Sequence, residues 1–400
     1  MKNNRLIVFF ISVFLSLTYV FADTGQPAPS LITGAERMEE VTRLLNGKKV
    51  GLLVNNTSIL AQEQIHLLDA LIAKGIDVVK VFAPEHGFRG EEEAGERVRH
   101  SKDRKTGIPI ISLYGKNHKP TPEQLKGIDI LVFDIQDVGA RFYTYISSMY
   151  YAMEACAENG VEFIVLDRPN PCDHIDGPIL KKGFESFVGV LPIPVLHGLT
   201  VGELALMING EGWLKSNPRT CKLQVVKMVN WTHGQAYDLP VKPSPNLPNA
   251  QSIRLYASLC FFEATPFSIG RGTYFPFQVI GYPDKKFGTF TFTPVSLKGF
   301  DSDPLQKDKT CYGIDLRDYL FEGGLSLRFI LDFYKKTGHS PSFFFSRPNW
   351  FDLLAGTKEL RNQIIQGLSE EKIRASWKAE LDIYKEMRRK YLLYPDYEQL

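Results

Sequence analysis

Four short segments of the chain combine carboxylates with histidine or arginine and with glycine or proline. They are APEHGFRGEEEAGE (83–96), DIQDVGARFYTY (134–145), DRPNP (167–171) and HGLTVGE (197–203). Such side chains can transfer protons, hold a metal ion or fix the polar groups of a ligand. Each segment follows an apolar run typical of a buried strand. Because ligands of parallel α/β sheets bind outside the carboxyl ends of the strands, we expect these segments to contribute to one site.

In the first segment, Glu85 and His86 are the leading candidates. They come directly after the apolar run, beside glycines that let backbone approach a ligand closely. Glu96 is a further candidate. The run from Glu91 to Glu93 is better explained as a solvated face.

In the second segment, Asp137 and Arg141 lie on either side of Gly139. This spacing favours a positioned carboxylate with a guanidinium within reach. A structural ion pair explains Arg141 equally well, and Asp134 needs only to cap a turn.

The last two segments also have structural explanations. Asp167 and Asn170 lie in an exit held rigid by two prolines, where both side chains can form hydrogen bonds. Thr200 followed by Glu203 predicts a helix N-cap with a capping box, which leaves His197 as the candidate for a functional role.

Familiar cofactor and catalytic motifs do not occur in the sequence. The first predicted strand turns through NNT rather than GxGxxG, and GxxxxGK[ST] and HExxH are absent. The segment PFSIG lacks the first glycine of a nucleophile elbow. A metal site made of His86, Asp137, Asp167 and His197 is geometrically conceivable, but the sequence predicts no cofactor and no bound metal.

The elements that must position these segments alternate along residues 30–240. Strands are predicted at KKVGLLVNN, DVVKVFAP, IPIISLYG, DILVFDIQD, VEFIVLDRP and LPIPVLHG. Helices are predicted at QEQIHLLDALIAKG, PEQLKG, YISSMYYAMEACAENG and TVGELALMINGEGWL. Apolar strands alternating with helices indicate an α/β fold, a Rossmann-like parallel sheet covered on both faces.

Four prolines between residues 240 and 248 interrupt this pattern and suggest a domain boundary near residue 240. Residues 241–400 are predicted to form a smaller α+β domain. Within it, SIRLYASLCFFEA reads as a helix, GTYFPFQVIGYP and GTFTFTPVSL read as strands, and the last 75 or so residues read as mostly helical.

The N-terminus has the pattern of an export signal. Lys2 and Arg5 precede an apolar run over residues 6–21 and the small residue Ala22, the order expected of a secretory signal peptide cut after that alanine. Residues 1–22 are therefore predicted to be removed, leaving a periplasmic or secreted protein. No later stretch approaches the roughly 20 apolar residues that a membrane span needs.

Charge and cysteine content limit the possible partners. With 47 basic and 45 acidic residues, the net charge of +2 provides no field that favours nucleic acid or an anionic membrane. The five cysteines lack CxxC spacing and are best explained as buried thiols, with at most two disulfides. They are Cys156, Cys172, Cys221, Cys260 and Cys311. The sequence does not indicate an oligomeric state.

Several motifs occur together and in a fixed order along the chain. They are PEHGFRG with AGE, FDIQDVGARFYTY, LDRPNP, HGLTVGE, PSPNLP and Glu263 with GRGT. From about Gly34 to the C-terminus, the sequence resembles the NamZ-like exo-beta-N-acetylmuramidases, formerly a bacterial family of unknown function. The resemblance implies a Rossmann-like part and a smaller part with the active cleft between them. It also implies release of N-acetylmuramic acid from the non-reducing end of peptidoglycan fragments during cell-wall turnover and recycling.

The resemblance carries functional roles to individual positions of this sequence. The catalytic candidates that it implies are Glu85, Asp137 and Glu263. The substrate-binding candidates that it implies are His86, Glu96, Arg141, Tyr143, Asp167, Arg168, Asn170, His197, Asn246, Arg271 and Thr273.

Breaking a glycosidic bond requires an acid for the leaving oxygen and a second group that manages the oxocarbenium-like charge. We expect Glu85 to be the acid, because a carboxyl group at a partly dry strand exit holds its proton more readily. The 2-acetamido group of the sugar permits substrate assistance, in which Asp137 or Glu263 would steady the acetamide. Either Arg141 or Arg271 is suited to bind the lactyl carboxylate through paired N–H donors.

Two alternatives from other classes remain open. A periplasmic binding protein, which also has two α/β lobes around a cleft, would bind muropeptide or sugar without turnover. A metal-dependent amidase or esterase would use the same histidines and aspartates as ligands, and chelation would abolish its activity.

Overall fold

The computed structural model of the chain describes residues 30–85, 87–88, 101–115, 117–321 and 323–396. Its strands are β1 (Lys49–Val54), β2 (Ile59–Leu60), β3 (Ile65–His66), β4 (Asp77–Ala83), β5 (Ser101–Lys102), β6 (Pro109–Ser112), β7 (Ile130–Asp134), β8 (Glu162–Leu166), β9 (Ile175–Asp176), β10 (Leu196–His197), β11 (Leu223–Val226), β12 (Val279–Tyr282), β13 (Phe290–Phe292) and β14 (Cys311–Asp315).

The α-helices of the described residues lie between and after these strands. They are α1 (Met38–Leu45), α2 (Leu67–Ala73), α3 (Pro122–Leu125), α4 (Tyr145–Asn159), α5 (Val201–Gly210), α6 (Ala250–Leu259), α7 (Arg328–Lys336), α8 (Pro341–Phe344), α9 (Pro348–Ala355), α10 (Glu359–Ile365) and α11 (Glu370–Arg389). Short 3-10 helices cover Cys260–Ala264 and Lys285–Phe287.

The largest sheet has the strand order β11-β8-β7-β1-β4-β6-β5. Neighbouring strands are parallel from β11 to β6, and β5 is antiparallel to β6. The chain builds outward from β1 through β4 and β6, then returns to the other side of β1 at β7. This reversal is the topological switch point of a doubly wound sheet, the position where α/β proteins bind their ligands. The predicted Rossmann-like fold is therefore confirmed.

Apolar side chains cover both faces of this sheet. In β1, Val50, Leu52 and Val54 join one apolar cluster with α1 and α2, whereas Leu53 joins the other with α4 and α5. The alternation follows from the two-residue period of a strand. Burial on both faces explains why these strands read as continuous apolar runs in the sequence.

Local sequence signals set several helix boundaries. The Thr200 hydroxyl accepts from the Glu203 N–H and the Glu203 carboxylate accepts from the Thr200 N–H, so the predicted capping box at the start of α5 is confirmed. Asn249 and Ser252 form the equivalent pair at α6. Helix α4 ends at Asn159 and is capped by Gly160, whose φ of +68° is readily adopted by glycine.

The second part of the chain contains a smaller antiparallel sheet in the order β12-β14-β13, followed by helices α7 to α11. The two strands predicted from GTYFPFQVIGYP and GTFTFTPVSL become β12 and β13. Contacts within Leu31–Leu400 hold both parts of the chain together as one compact unit. The domain limits 30–240 and 241–400 remain predictions.

Two sequence-based assignments differ from the structure. The segment LPIPVLHG forms only the two-residue strand β10, paired antiparallel with β9 outside the large sheet. The edge position beside β8 is instead taken by β11, which lies in a segment not recognised as a strand. Prolines 192 and 194 explain the first difference, because they remove backbone donors from any longer ladder.

Two further expectations bear on the chain as a whole. All five cysteines are buried and unpaired, and burial raises the pKa of the Cys172 thiol to about 12. Among the described residues, no helix is long and apolar enough to cross a membrane.

Candidate active site

A cavity of about 330 Å³ lies where the carboxyl ends of β4 and β7 meet the start of the second part of the chain. Its lining includes residues after β4 and β7, residues of the proline-rich segment before α6, and residues around the 3-10 helix that follows α6. The polar members are Glu85, Tyr114, Tyr143, Thr144, Tyr145, Ser186, Ser244, Asn246, Tyr256, Glu263 and Arg271. Five of the predicted site residues thus reach one cavity: Glu85, Tyr143, Asn246, Glu263 and Arg271.

Glu85 enters the cavity two residues after the end of β4. Its Oε2 accepts a hydrogen bond of 3.2 Å from the Thr144 hydroxyl. Thr144 itself comes from the segment that follows β7, so two strand exits define the position of this carboxylate. Among the described residues, the hydrogen bond that the Glu85 side chain accepts comes from this neutral donor.

A second carboxylate, Glu263, lines the same cavity and is paired with Arg271. The Arg271 Nε and Nη2 both donate to Glu263 Oε1, at 3.1 Å and 2.5 Å. Burial acts to lower the pKa of Arg271, but the charge and hydrogen bonds of Glu263 outweigh it, so this pKa lies above its ordinary value. The side chains of Arg271 and Glu263 remain 26% and 21% exposed. The guanidinium is therefore fixed and charged, and the side chain that carries it is partly exposed at the cavity.

Aromatic side chains form much of the cavity wall, among them Phe142, Tyr143, Tyr145, Tyr256, Phe277 and Trp350. The Tyr143 ring packs edge-on against Tyr145 and Tyr256, with centroid distances of 4.9 Å and 5.7 Å. Burial raises the pKa of Tyr143 well above its usual value, and both neighbouring tyrosines act in the same direction. These phenols are neutral donors and acceptors with apolar ring faces, the combination that sugar-binding sites use.

Asn246 provides the cavity with an oriented amide. Its Nδ2 donates to the Phe300 carbonyl at 3.0 Å, which fixes the side chain. Its Oδ1 is buried and has no hydrogen-bond partner among the described residues. A buried acceptor without a partner is costly, so this oxygen is well placed for a ligand N–H or hydroxyl group.

The structure places Asp137 and His197 outside the cavity lining. Asp137 Oδ2 accepts from the Gly139 N–H at 2.7 Å, and His197 Nε2 lies 3.7 Å from the same oxygen. The two side chains are 6% and 1% exposed. This proximity joins two of the predicted segments, but it does not bring either side chain to the cavity.

Arg141 is also buried away from the cavity, despite the expectation of a substrate contact. Its guanidinium donates to the main-chain carbonyls of Pro178, Ile193 and Leu354. Burial lowers the pKa of Arg141. The three carbonyl oxygens accept hydrogen bonds from the protonated guanidinium. Of the two arginines considered for one role, Arg271 lines the cavity and Arg141 does not.

The DRPNP segment is likewise occupied by internal contacts. Arg168 forms a paired contact with Asp134, with Nε to Oδ1 at 2.5 Å and Nη2 to Oδ2 at 2.9 Å. Both residues are nearly inaccessible to solvent. Asn170 Nδ2 donates to the Leu199 carbonyl, and its Oδ1 accepts from the Cys172 N–H. These two predicted substrate-binding residues therefore hold loops together.

Asp167 lies in a buried polar cluster. Its carboxylate accepts from the Thr200 hydroxyl at 2.8 Å, the Gly202 N–H at 2.8 Å and the Tyr394 hydroxyl at 2.6 Å. Burial and the nearby Glu203 raise the pKa of Asp167 to about 7. This carboxylate joins β8, α5 and the C-terminal segment rather than facing the cavity.

His233 extends this cluster in a way that the sequence did not indicate. Its Nδ1 lies 2.8 Å from Asp173 Oδ2 and its Nε2 lies 3.0 Å from Glu203 Oε1. Burial lowers the pKa of His233, but the two carboxylates outweigh it and raise that pKa to about 9. The imidazolium is therefore held between two buried acids. Glu203 has a second function here besides capping α5.

The remaining predicted residues do not line the cavity or lie outside the described residues. Thr273 is buried, and its hydroxyl donates to the Gly270 carbonyl at 2.6 Å within a turn. His86 and Glu96, with the Glu91 to Glu93 run, lie outside the described residues, so their predicted roles are not tested.

Sequence reasoning missed several residues of the site. Thr144 and Ser244 lie next to Tyr143 and in the PSPN motif, so a reading of whole motifs would have included them. His118 follows β6 and stacks on the cavity residue Phe187 with a centroid distance of 3.8 Å. Burial lowers the pKa of His118, with the charge of Glu85 acting against it. Trp350 comes from α9, and nothing local in the sequence marks it.

A larger depression, about 800 Å³, lies beside the β2–β3 hairpin and α2. Three of its polar side chains have structural partners: Lys105 is 2.7 Å from Asp69, and His66 caps α2. None of the predicted site residues lines it. The chemistry therefore favours the smaller cavity.

The metal site considered from the sequence includes His86, which lies outside the described residues. Asp167 accepts hydrogen bonds within its own cluster, and His197 lies beside Asp137. No group of three or more histidine, cysteine or acidic side chains suited to a metal ion occurs in the described part of the chain.

Comparisons with known proteins agree with the motifs. Family models of the exo-beta-N-acetylmuramidase NamZ match residues 50–251 (N-terminal model) and 254–394 (C-terminal model). The peptidoglycan beta-N-acetylmuramidase NamZ of Bacillus subtilis strain 168 is 41% identical, with 92% of each chain covered.

Two solved structures share the fold of this chain. A crystal structure of a DUF1343 family protein from Bacteroides fragilis NCTC 9343 has a TM-score of 0.84 and 44% identity, covering 92% of this chain and 100% of its own. A second DUF1343 family protein from that organism has a TM-score of 0.79 and 36% identity, covering 91% and 99%. The sequence matches and the shared fold show that the chain belongs to the NamZ exo-beta-N-acetylmuramidase family.

Proposed function

We propose that this protein is an exo-acting glycoside hydrolase that releases N-acetylmuramic acid from the non-reducing end of peptidoglycan fragments. The observation that carries the proposal is the joint placement of Glu85, Glu263 and Arg271 in one aromatic-walled cavity. The B. subtilis relative, a peptidoglycan beta-N-acetylmuramidase, supports the same reaction.

The size of the cavity supports exo action. At about 330 Å³, it is near the lower end of the roughly 300–1,000 Å³ typical of ligand pockets. This space suits one sugar residue better than several residues of a glycan chain. A terminal sugar would enter, and the rest of the glycan would remain outside.

Arg271 supports selection of the muramic sugar. N-acetylmuramic acid carries a lactyl ether that ends in a carboxylate, which N-acetylglucosamine lacks. An arginine fork held by Glu263 can donate to that carboxylate from its remaining N–H groups. Because Arg271 remains 26% exposed, it can reach a ligand without breaking its internal pair.

Glu85 is the residue proposed to act as the general acid. It donates its proton to the glycosidic oxygen as the bond from that oxygen to the anomeric carbon breaks. A water molecule then adds to the anomeric carbon, and its proton returns to the Glu85 carboxylate. The aromatic walls limit access of bulk water to these steps.

The second charge-stabilising role is assigned to other groups that line the same cavity as Glu85. The acetamide of the sugar can assist, with Asn246 Oδ1 available to accept its N–H. Glu263 supplies negative charge near the developing oxocarbenium ion while Arg271 holds it in place. Asp137, the other candidate from the sequence, does not line the cavity, and its Oδ2 accepts from the Gly139 N–H.

The test is product analysis with peptide-free glycan fragments that end in N-acetylmuramic acid. Release of that single sugar by the purified protein, unchanged after treatment with a chelator, is the expected result. Binding of the fragment without release would instead identify a sugar-binding protein. Loss of release on chelation would identify a metal-dependent hydrolase. Internal cleavage to longer products would contradict exo action.

Export is a separate part of this proposal. The segment with the signal-peptide pattern, residues 1–22, lies outside the described residues. We propose that the chain is cut after Ala22 and acts in the periplasm or outside the cell, where peptidoglycan fragments arise. N-terminal sequencing of the mature protein should begin at Asp23, and an intact Met1 in the mature form would contradict export.

A further inference from the structure

An exposed aromatic side chain, Tyr274, lies three residues after the cavity residue Arg271. It is 74% exposed, an unusual setting for a large aromatic ring. Its ring stands edge-on to Phe300, with a centroid distance of 6.0 Å and an interplanar angle of 87°. We call these two residues the rim platform.

The rim platform is fixed to the cavity through specific contacts. The Phe300 carbonyl accepts the hydrogen bond from Asn246, which lines the cavity. Lys242 Nζ lies 5.3 Å from the Phe300 ring centroid, a cation–π contact. The loop that carries Phe300 is therefore tied to a cavity residue and to the segment before α6.

The loop that carries Tyr274 is held against the loop that carries Phe300. The Val295 N–H donates to the Gly272 carbonyl at 2.9 Å. Gly272 has a φ of +77°, and a Cβ atom there would lie 2.4 Å from Pro304 Cγ and 2.6 Å from the Val295 carbonyl oxygen. Only glycine fits this close approach, so the two loops form a defined surface.

We propose that the rim platform binds the second sugar of the substrate, with the Tyr274 ring stacked on the face of that pyranose. This inference rests on the proposed function. A terminal N-acetylmuramic acid is joined to the rest of the glycan only through its anomeric oxygen. When that sugar fills the cavity, the chain on the leaving side must cross the rim.

The chemistry of the two surfaces is complementary. The C–H face of a pyranose is apolar and presents slight positive charge, whereas the face of an aromatic ring carries negative charge density. Stacking would cover the exposed Tyr274 ring and orient the leaving sugar before the bond breaks. The platform would thus add affinity for a glycan that free N-acetylmuramic acid does not gain.

The test compares the disaccharide of N-acetylmuramic acid β-linked to N-acetylglucosamine with free N-acetylmuramic acid as an inhibitor. For Tyr274→Ala, we expect KM for the disaccharide to rise about three- to tenfold, the range of a single aromatic stacking contact. The inhibition constant of the free sugar should remain unchanged, because that sugar occupies only the cavity. Tyr274→Phe should behave as the wild type, because the stacking face is kept.

Leu320→Ala is the matched control for removing an exposed apolar side chain, since Leu320 is 97% exposed and does not line the cavity. It should leave both constants unchanged, and thermal melting should show all three variants folded. Unchanged disaccharide kinetics in Tyr274→Ala would overturn the inference. Equal weakening of the disaccharide and the free sugar would also overturn it, by placing Tyr274 within the cavity site.

Two other outcomes are distinguishable. An effect of Tyr274→Ala confined to substrates that carry a stem peptide would overturn the inference and assign the platform to the peptide. A folded wild-type protein that releases no N-acetylmuramic acid from any fragment would overturn the proposed function and, with it, this subsite.

Discussion

The exits of β4 and β8 differ in what their charged side chains contact. After β4, Glu85 reaches the cavity. Among the described residues, its side chain accepts a hydrogen bond from the neutral hydroxyl of a threonine. After β8, Asp167 accepts three hydrogen bonds from side chains and backbone of other elements, and Arg168 is paired with Asp134. Both exits look equally functional in the sequence. Partners from distant parts of the chain decide which side chains remain available for a ligand.

The same contrast separates the arginines. Arg141 and Arg168 are buried, and their donors meet carbonyls or a carboxylate of the protein. Arg271 is also paired, but it remains partly exposed in the cavity. A charged group at a strand exit is thus a functional candidate only when it keeps accessible donors or acceptors.

Replacing Glu85 with glutamine should cause the largest loss of activity. The amide keeps the shape and a hydrogen bond from Thr144 but has no acidic proton to donate. We expect kcat for release of N-acetylmuramic acid to fall about 10²- to 10⁴-fold, the usual contribution of general acid catalysis. The free energy of unfolding should change little, which denaturant titration can check. Near wild-type turnover would remove Glu85 from the acid role.

Replacing Arg168 with alanine should have the largest effect on stability. It leaves Asp134 buried without its partner, which typically costs about 3–5 kcal/mol. The matched control is Arg317→Ala, because Arg317 makes a similar paired contact with Asp315 at the surface, where a loss of about 1 kcal/mol or less is expected. Equal losses in urea unfolding would contradict the structural role given to the DRPNP segment.

The cluster around His233 should make stability depend on pH. The folded-state pKa of about 9 lies above the ordinary 6.5, so the stabilisation is fully present below pH 6.5 and is lost as the pH rises towards 9. The pKa of Asp167 is raised to about 7, so the folded protein binds this proton more tightly than the unfolded chain does. Its contribution to stability is therefore also lost as the pH rises.

The expected loss in the free energy of unfolding between pH 6.5 and 9 is up to about 3 kcal/mol, the equivalent of the shift in the His233 pKa. Urea titrations across this pH range measure it. His233→Gln should flatten most of this dependence, while His339→Gln, at an exposed position outside the cluster, serves as the control. A wild-type stability that rises over the same range would contradict the assigned charges.

Replacing Arg271 with alanine should give the smallest of these effects and the most selective one. Loss of a charge-assisted contact with the lactyl carboxylate should raise KM for a muramide about 10- to 100-fold. Arg271→Lys should recover only part of this, because lysine lacks the paired donors. An equal loss on an N-acetylglucosaminide, in a parallel assay, would exclude recognition of the lactyl group.

The part of the fold that could be predicted is the part governed by local patterns. Continuous apolar runs predicted β1, β4, β6, β7 and β8, and the Thr200 and Glu203 pair predicted the start of α5. Strand β11 was missed because LQVV, in a segment of mixed polarity, carries little period-two signal. The length of the strand in LPIPVLHG was overestimated, because the prolines of this segment prevent the strand pairing that its apolar residues suggest.

The site was predictable to the extent that its residues lie in motifs. Glu85 could be selected from the sequence, whereas Tyr143, Asn246, Glu263 and Arg271 could be selected only through the family resemblance. The buried roles of Arg141 and Asp167 could not, because their partners include Leu354 and Tyr394, roughly 210 to 230 residues away. Spacing along the chain carries no information about such contacts.

The central claim is that the cavity lined by Glu85, Glu263 and Arg271 is where the glycan is bound and cleaved. The most direct test is a crystal structure of the Glu85→Gln variant with the disaccharide of N-acetylmuramic acid and N-acetylglucosamine. The claim predicts the muramic sugar in this cavity, with its lactyl carboxylate at Arg271 and residue 85 beside the glycosidic oxygen. A disaccharide bound instead in the depression beside α2, or at Asp137 and His197, would contradict it.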